Sequence, residues 1–382
     1  MGVIRATADT LDEARAKALR AYENLNVNFL LRCRPRREIH HLASAALLAI
    51  SLFPASQAAR AAEEAEKVDL VPKIHGVIRT RYEGEWGGDD GWRQRFQVRN
   101  ARVSLEGQVL RQLSYFIRVD ACDRGTMKFL DAYGQWSLPA SFRIRAGQFR
   151  VPFGVDVFRG PGTYIFANRS FVGKNLANVR EVGVQGGYYG RPGLPLTVEA
   201  GVFNSKPMAD HEVWQKGMDF AAKATWKPGG FTVSASYLTM KPYGVRMNLV
   251  DGTFGWNRGR WVAEAEYQHK HYERVALGDT DAWSVFASYA LPLRKTVFDN
   301  LSFHGRFDSM TANSTGKPGE AGGLTYSEPS RRRITAGTML EYLRAPLRVA
   351  VRVNYAKYFY DSGVEAPAGA DDKIVAELVI KF

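Results

Sequence analysis

From about residue 72 to its last residue, this chain alternates apolar and polar side chains with a period of two, segment after segment. That period belongs to strands, in which successive side chains point to opposite faces. Leu347-Arg-Val-Ala-Val-Arg-Val-Asn-Tyr355 shows it most cleanly, with apolar odd positions and Arg348, Arg352 and Asn354 on the other face. Trp261, Ala263, Ala265 and Tyr267 alternate with Glu264, Glu266 and Gln268. Leu301, Phe303, Gly305 and Phe307 alternate with Ser302, His304, Arg306 and Asp308. The fold class is therefore all-β, and alternation alone fits a soluble sandwich as well as a barrel.

Two further patterns favour a barrel in a membrane. Short turns, such as Lys227-Pro-Gly-Gly230, Asn257-Arg-Gly-Arg260 and Arg344-Ala-Pro346, are interleaved with long polar stretches at 205–217, 270–280, 311–331 and 359–372. Short turns at one end and long loops at the other are the habit of outer-membrane barrels. Aromatics, among them Tyr82, Trp136, Trp226, Tyr237, Trp261, Trp283, Tyr289 and Tyr355, stand near strand ends on the apolar face, where two interfacial girdles would need them. A helical membrane protein is excluded, because mean hydropathy is −0.28 and no apolar run reaches the length of about 20 residues that a span requires. The pattern yields sixteen candidate strands, the first near 72–82 and the last near 373–382. The expected fold is a 16-stranded antiparallel transmembrane β-barrel with a water-filled lumen. Parity changes inside the segments near 94–108 and 246–256 predict a bulge in each.

The amino-terminal part reads differently. The basic cluster Arg32-Cys-Arg-Pro-Arg-Arg37 precedes an apolar run from Leu42 to Phe53 and then small residues through Ala62. Basic, apolar, small is the order of a secretory signal. Residues 1–61 are expected to be a leader cleaved after Ala61, 62–70 a short periplasmic linker, and 71–382 the barrel. Residues 1–31 precede the basic cluster and are given no function. Cys33 falls in the leader, so the mature chain keeps only Cys122 and has no internal disulfide.

One connection is unlike the others. Residues 151–180 follow the fifth strand and carry Phe158, Tyr164, Ile165, Phe166 and Phe171, too apolar for a loop lying loose in water. This third loop is expected to fold inward and narrow the pore. With apolar residues facing lipid, the opposite parity names the lumen, and basic residues dominate its first five strands. The candidate anion pathway is Arg79, Arg81, Arg118, Arg143 and Arg145 on strands, with Arg159, Arg169, Lys174 and Arg180 from the loop. Clustered cations at a constriction lower the cost of passing an anion, and guanidinium forks suit oxyanions. The overall balance, 52 Lys and Arg against 39 Asp and Glu, agrees with anionic partners. Nucleic acid is not among them, since the basic residues alternate along strands behind a secretion signal. No cofactor, metal site or catalytic residue is expected. The competing readings are a barrel enzyme, for which His269, His271 and His304 are the only candidates, and an adhesin with no open channel.

The ending Lys373-Ile-Val-Ala-Glu-Leu-Val-Ile-Lys-Phe382 is a membrane strand closing on an aromatic carboxyl terminus. It should pair with the first strand, and its form resembles the signal read by the barrel-assembly machinery, with Phe382 as the key residue. A wider resemblance rests on Phe96-Gln-Val-Arg-Asn-Ala-Arg-Val-Ser-Leu-Glu-Gly107, Tyr115-Phe-Ile-Arg-Val-Asp120, Asp131-Ala-Tyr133, Arg145-Ala-Gly-Gln-Phe-Arg-Val-Pro-Phe-Gly154, Arg180-Glu-Val-Gly-Val184 and Gly201-Val-Phe-Asn204. In this order the segments resemble phosphate-selective porins of the O/P type. The resemblance implies a trimeric porin in the bacterial outer membrane, with a constricting third loop and an anion pathway lined by Arg and Lys. Its partners would be small anions such as phosphate, outer-membrane lipid and lipopolysaccharide, and further copies of itself.

Overall fold

A computed structural model describes residues 68–382 apart from 88–90, 177–178, 206–211, 213, 215 and 320–322. The leader and residues 62–67 of the linker lie outside the described residues. Sixteen strands follow one another in sequence: β1 (Lys73–Trp86), β2 (Trp92–Gln108), β3 (Leu113–Asp123), β4 (Thr126–Ser137), β5 (Phe142–Arg150), β6 (Arg180–Arg191), β7 (Leu194–Asn204) and β8 (Met218–Trp226). They continue as β9 (Phe231–Met240), β10 (Met247–Arg258), β11 (Trp261–Tyr272), β12 (Thr280–Pro292), β13 (Asn300–Met310), β14 (Arg331–Arg344), β15 (Leu347–Phe359) and β16 (Lys373–Lys381). Each pairs antiparallel with its neighbours, and β16 pairs with β1 from Val77↔Lys381 to Glu85↔Lys373, so the sheet closes into a barrel. Closure leaves the sheet without a free edge, the condition for lying in hydrocarbon.

The period of two sorts the side chains. On β13, Phe303 and Phe307 are exposed, whereas Ser302, His304, Arg306 and Asp308 are buried. The neighbouring strand repeats this, with Trp283 and Val285 outward and Ser284 and Ser288 inward. The outer face is thus apolar and the inner face polar, inverted from a soluble protein. Paired rings mark both rims: Trp261 with Tyr289 at one end of β11 and β12, and Tyr267 with Trp283 towards the other. Not every connection at the long-loop end is long: β3 and β4 are joined by Arg124 and Gly125 alone, both at positive φ.

The bulge expected near 94–108 is present. Arg79 pairs with Asn100 and Thr80 with Val98, so Arg99 is the additional residue on β2. The bulge expected near 246–256 is absent, since β10 keeps an unbroken register with β9 and β11. Its parity change has another cause. Met247 and Leu249 point inward and are fully buried with Leu238, Met240 and Tyr272 in an apolar cluster that also holds Phe171, Val172 and Leu176 of the β5–β6 connection. Apolar residues therefore occupy the inner face where a loop covers them. A second bulge, unforeseen, lies in β4, where Arg118 pairs with Asp131 and Val119 with Phe129, leaving Leu130 additional.

Candidate functional site

The β5–β6 connection, residues 151–179, is held by polar side chains of the inner face. Pro152 and the turn at Asp156–Phe158 bring two successive backbone N–H groups, Val155 and Asp156, onto the Glu266 carboxylate at 2.7 and 3.0 Å. The N–H of Gly154 donates to the Ser236 hydroxyl at 2.9 Å, and Lys223 donates to the Gly154 carbonyl. Gly154 has φ of 70°, and a Cβ there would press on the Gln268 amide and the Glu266 carboxylate, so both backbone and packing require glycine.

Further along, strand arginines take the connection's carbonyls. Arg352 donates to Tyr164 and Phe166, Arg348 to Gly162, Arg306 to Asn168 and Arg169, and Arg333 to Arg169. Arg79 and Arg81 both reach the Ala167 carbonyl at 2.8 Å, while the N–H of Ala167 donates to the Asn354 side chain at 2.6 Å. Carboxylates balance these cations. Glu377 binds Arg79, Arg81 and Arg352, and Asp308 binds Arg306 and Arg333. Buried charges persist only when paired in this way. Within the connection, burial alone would raise the Asp156 carboxyl, but Arg159, Arg169 and Arg306 outweigh it and hold the group below the usual carboxylate range.

The opposite wall, β2 to β6, carries cations that the connection does not take. Arg102 pairs with Asp120 at 2.7 Å, Arg180 with Asp131 at 2.9 Å, Arg118 with the same Asp131 at 3.3 Å, and Arg99 with Asp123. Arg145 donates to the side-chain amide oxygen of Gln135 at 2.9 Å and lies over the Tyr133 ring; Arg143 lies over the Tyr189 ring. No carboxylate of the described residues is within salt-bridge distance of Arg143 or Arg145. Arg169 of the connection donates to the connection's own carbonyls, those of Asp156, Val157 and Arg159, and lies over the Tyr164 ring. Burial, with Arg102, Arg180 and Arg99 close by, pulls its guanidinium down to about 10 against the attraction of Asp156.

The nine pathway residues expected from the sequence thus separate into groups. Arg79 and Arg81 are spent on Glu377 and the connection, and Arg159 on Glu264 and Asp156. Lys174 sits in the short turn Val172–Leu176, where burial lowers its proton affinity. Arg169 is bonded within the connection, and Arg118, Arg143, Arg145 and Arg180 gather at the β2–β6 wall. Sequence reasoning missed Arg99 and Arg102 of β2, although its parity break was visible. The bulge turns Arg99 and Asn100 to the same face and thereby brings two arginines, Arg99 and Arg102, into the cluster. Phe382, the expected assembly signal, sits in the seam, with its backbone bonded both ways to Gly76 at 2.8 and 3.1 Å.

Among solved structures, OmpF of Salmonella typhi in complex with daunomycin aligns with a TM-score of 0.59 at 16% identity, covering 81% of this chain and 97% of that one. An anion-selective porin from Comamonas acidovorans aligns with a TM-score of 0.55 at 13% identity, covering 81% and 98%. The in-vitro folded trimer form of OmpT from Vibrio cholerae gives 0.54 at 12%, covering 82% and 99%. At such identities the likeness shows a common fold. No curated protein matches the chain in sequence. The family described as phosphate-selective porin O and P matches residues 80–291, more than half of the chain. On that match and its closed sixteen-stranded barrel, the protein is an outer-membrane porin and belongs to the phosphate-selective porin O and P family.

Proposed function

We propose that the barrel is an open channel for passive diffusion of small hydrophilic solutes, with anions preferred and phosphate or a similar oxyanion among them. The observation that carries this reading is the set of cations on β2 to β6, in which Arg143 and Arg145 pair with no carboxylate of the described residues. In this reading the β5–β6 connection folds into the lumen as a constriction, and an anion passes between it and the β2–β6 wall. Six strand arginines anchor the connection, while those on the wall stabilise the passing charge. The name of the Comamonas acidovorans protein, an anion-selective porin, agrees with this.

The same reading makes the protein a carrier of no chemistry. His269 and His271 bond Asp281 and Asp279, and His304 bonds Asn354. Among the described residues none of the three engages a serine or cysteine, as a nucleophile and base would. The leader would deliver the chain across the inner membrane, the barrel-assembly machinery would insert it, and it would stand among lipid and lipopolysaccharide as a homotrimer.

Reversal potentials of single channels in a planar bilayer across a KCl gradient test the proposal. An anion-selective potential is expected, with added phosphate reducing the chloride current. Cation selectivity overturns anion preference, phosphate without effect overturns the oxyanion version, and a barrel that never conducts is a sealed structural one.

A further inference from the structure

The inner face of β3 to β6 carries rings as well as cations. Phe116 and Tyr133 are half-buried there and stacked on each other, with centroids 5.4 Å apart and planes at 23°. The Arg118 guanidinium lies 4.6 Å from the centroid of Phe116, and that of Arg145 lies 4.3 Å from Tyr133. One strand on, Arg143 lies 4.6 Å over Tyr189, whose hydroxyl donates to Glu199. Gly187 faces Arg143 across the ladder, and a Cβ there would approach the Tyr189 ring to 3.0 Å, so the glycine leaves the room in which guanidinium and ring stack.

A path meant only for inorganic oxyanions gains nothing from a phenylalanine ring on a water-filled wall. Hydrated phosphate has no face to stack, and the apolar ring costs free energy where it meets water. A guanidinium stacked on a ring keeps its N–H groups in the plane, where a carboxylate can meet them. Arg143 pairs with no carboxylate of the described residues, while Arg145 gives one edge to the Gln135 side chain and Arg118 one N–H to Asp131, each keeping further N–H groups for a solute. A solute carrying both a carboxylate and a flat ring can use both features together: the fork for its charge, and the planes of rings and guanidiniums for its ring.

We propose that the Phe116–Tyr133 pair with Arg118, Arg143 and Arg145 is a binding station for aromatic carboxylates, which this channel admits in preference to saturated carboxylates and inorganic phosphate. The proposal rests on the anion-channel reading above and adds to it the class of solute.

The test uses the purified channel in planar bilayers, with chloride current titrated separately by benzoate, cyclohexanecarboxylate, acetate and inorganic phosphate. Benzoate and cyclohexanecarboxylate share charge and ring size and differ in the aromatic face. Benzoate should half-block the current at a concentration roughly fivefold lower than cyclohexanecarboxylate, the size of effect a good aromatic contact gives. In the F116L, Y133L double variant this difference should vanish. Both single variants are measured too, and heat-shifted migration in gels reports that each barrel is folded. Equal block by the two ring acids in the parent channel overturns the proposal, as does a benzoate preference that survives in a folded variant. Failure of the anion-channel reading looks different, because the parent's own reversal potential would then lack anion selectivity.

Discussion

Gly76 has no side chain because the ring of Phe382 lies where its Cβ would be. An amino acid with a Cβ at this place in β1 must push the terminal aromatic off the seam that closes the barrel. Gly76→Val, like deletion of Phe382, should therefore lower the yield of heat-modifiable folded barrel several-fold, while the channels that do form keep the parent conductance. A changed conductance with normal yield would place Phe382 in the pore instead. Arg143 and Arg145 make the opposite prediction. Replacing both with alanine should leave folding intact and lower the anion-to-cation permeability ratio several-fold, since one unit charge at contact in water is worth about 1 kcal/mol. Unchanged reversal potentials would put them outside the narrow zone. Both arginines were readable from parity alone, because β5 alternates regularly up to Arg145. Arg99 was not readable in that way, since a bulge changes which side chain faces the lumen without changing any residue type.

At the scale of elements, strand positions follow closely from the period of two and the turn residues. The anchoring of the β5–β6 connection does not, because its acceptors are backbone carbonyls such as Ala167 and Arg169, whose approach to Arg79 and Arg333 depends on closure of the whole sheet. The error at β10 has the same origin. The parity change read as a bulge marks Met247 and Leu249, which pack with the connection's apolar residues. Glu266 holds the first turn of that connection through two backbone N–H groups. Glu266→Ala should loosen it, and single-channel recordings should show higher conductance with more frequent fluctuations; quiet traces of parent amplitude would mean the turn stands without this carboxylate. Asp156 adds a dependence on acid. Its carboxyl is held below the usual range, so the charge pairing it contributes is complete above the ordinary carboxylate value of about 3.9 and is lost as pH falls through its lowered value. Any change in conductance that comes from Asp156 should therefore appear only below about pH 4. A step between pH 6 and 5 would implicate another group.

For the whole molecule, the inside-out distribution of side chains sets both location and selectivity. The barrel turns apolar residues outward because its solvent there is lipid, and the charged set left inside has to be arranged around water and the connection. On the strands that grip the connection, Glu264 and Glu266 on β11, Asp308 on β13 and Glu377 on β16 meet its cations, its N–H groups or the arginines that hold it. Cations in excess remain across from it. Selectivity that arises from such a field differs from selectivity by size, and salt separates the two. The screening length falls from about 10 Å at 0.1 M to about 3 Å at 1 M, shorter than the width of a water-filled barrel. Measured across proportionate KCl gradients, the anion-to-cation permeability ratio should therefore decline steadily between those concentrations. Relative rates for neutral solutes of graded size should not change. A ratio that stays constant with salt would mean that ions contact the arginines directly throughout their passage, because a charge at contact distance is the one arrangement that added salt does not screen.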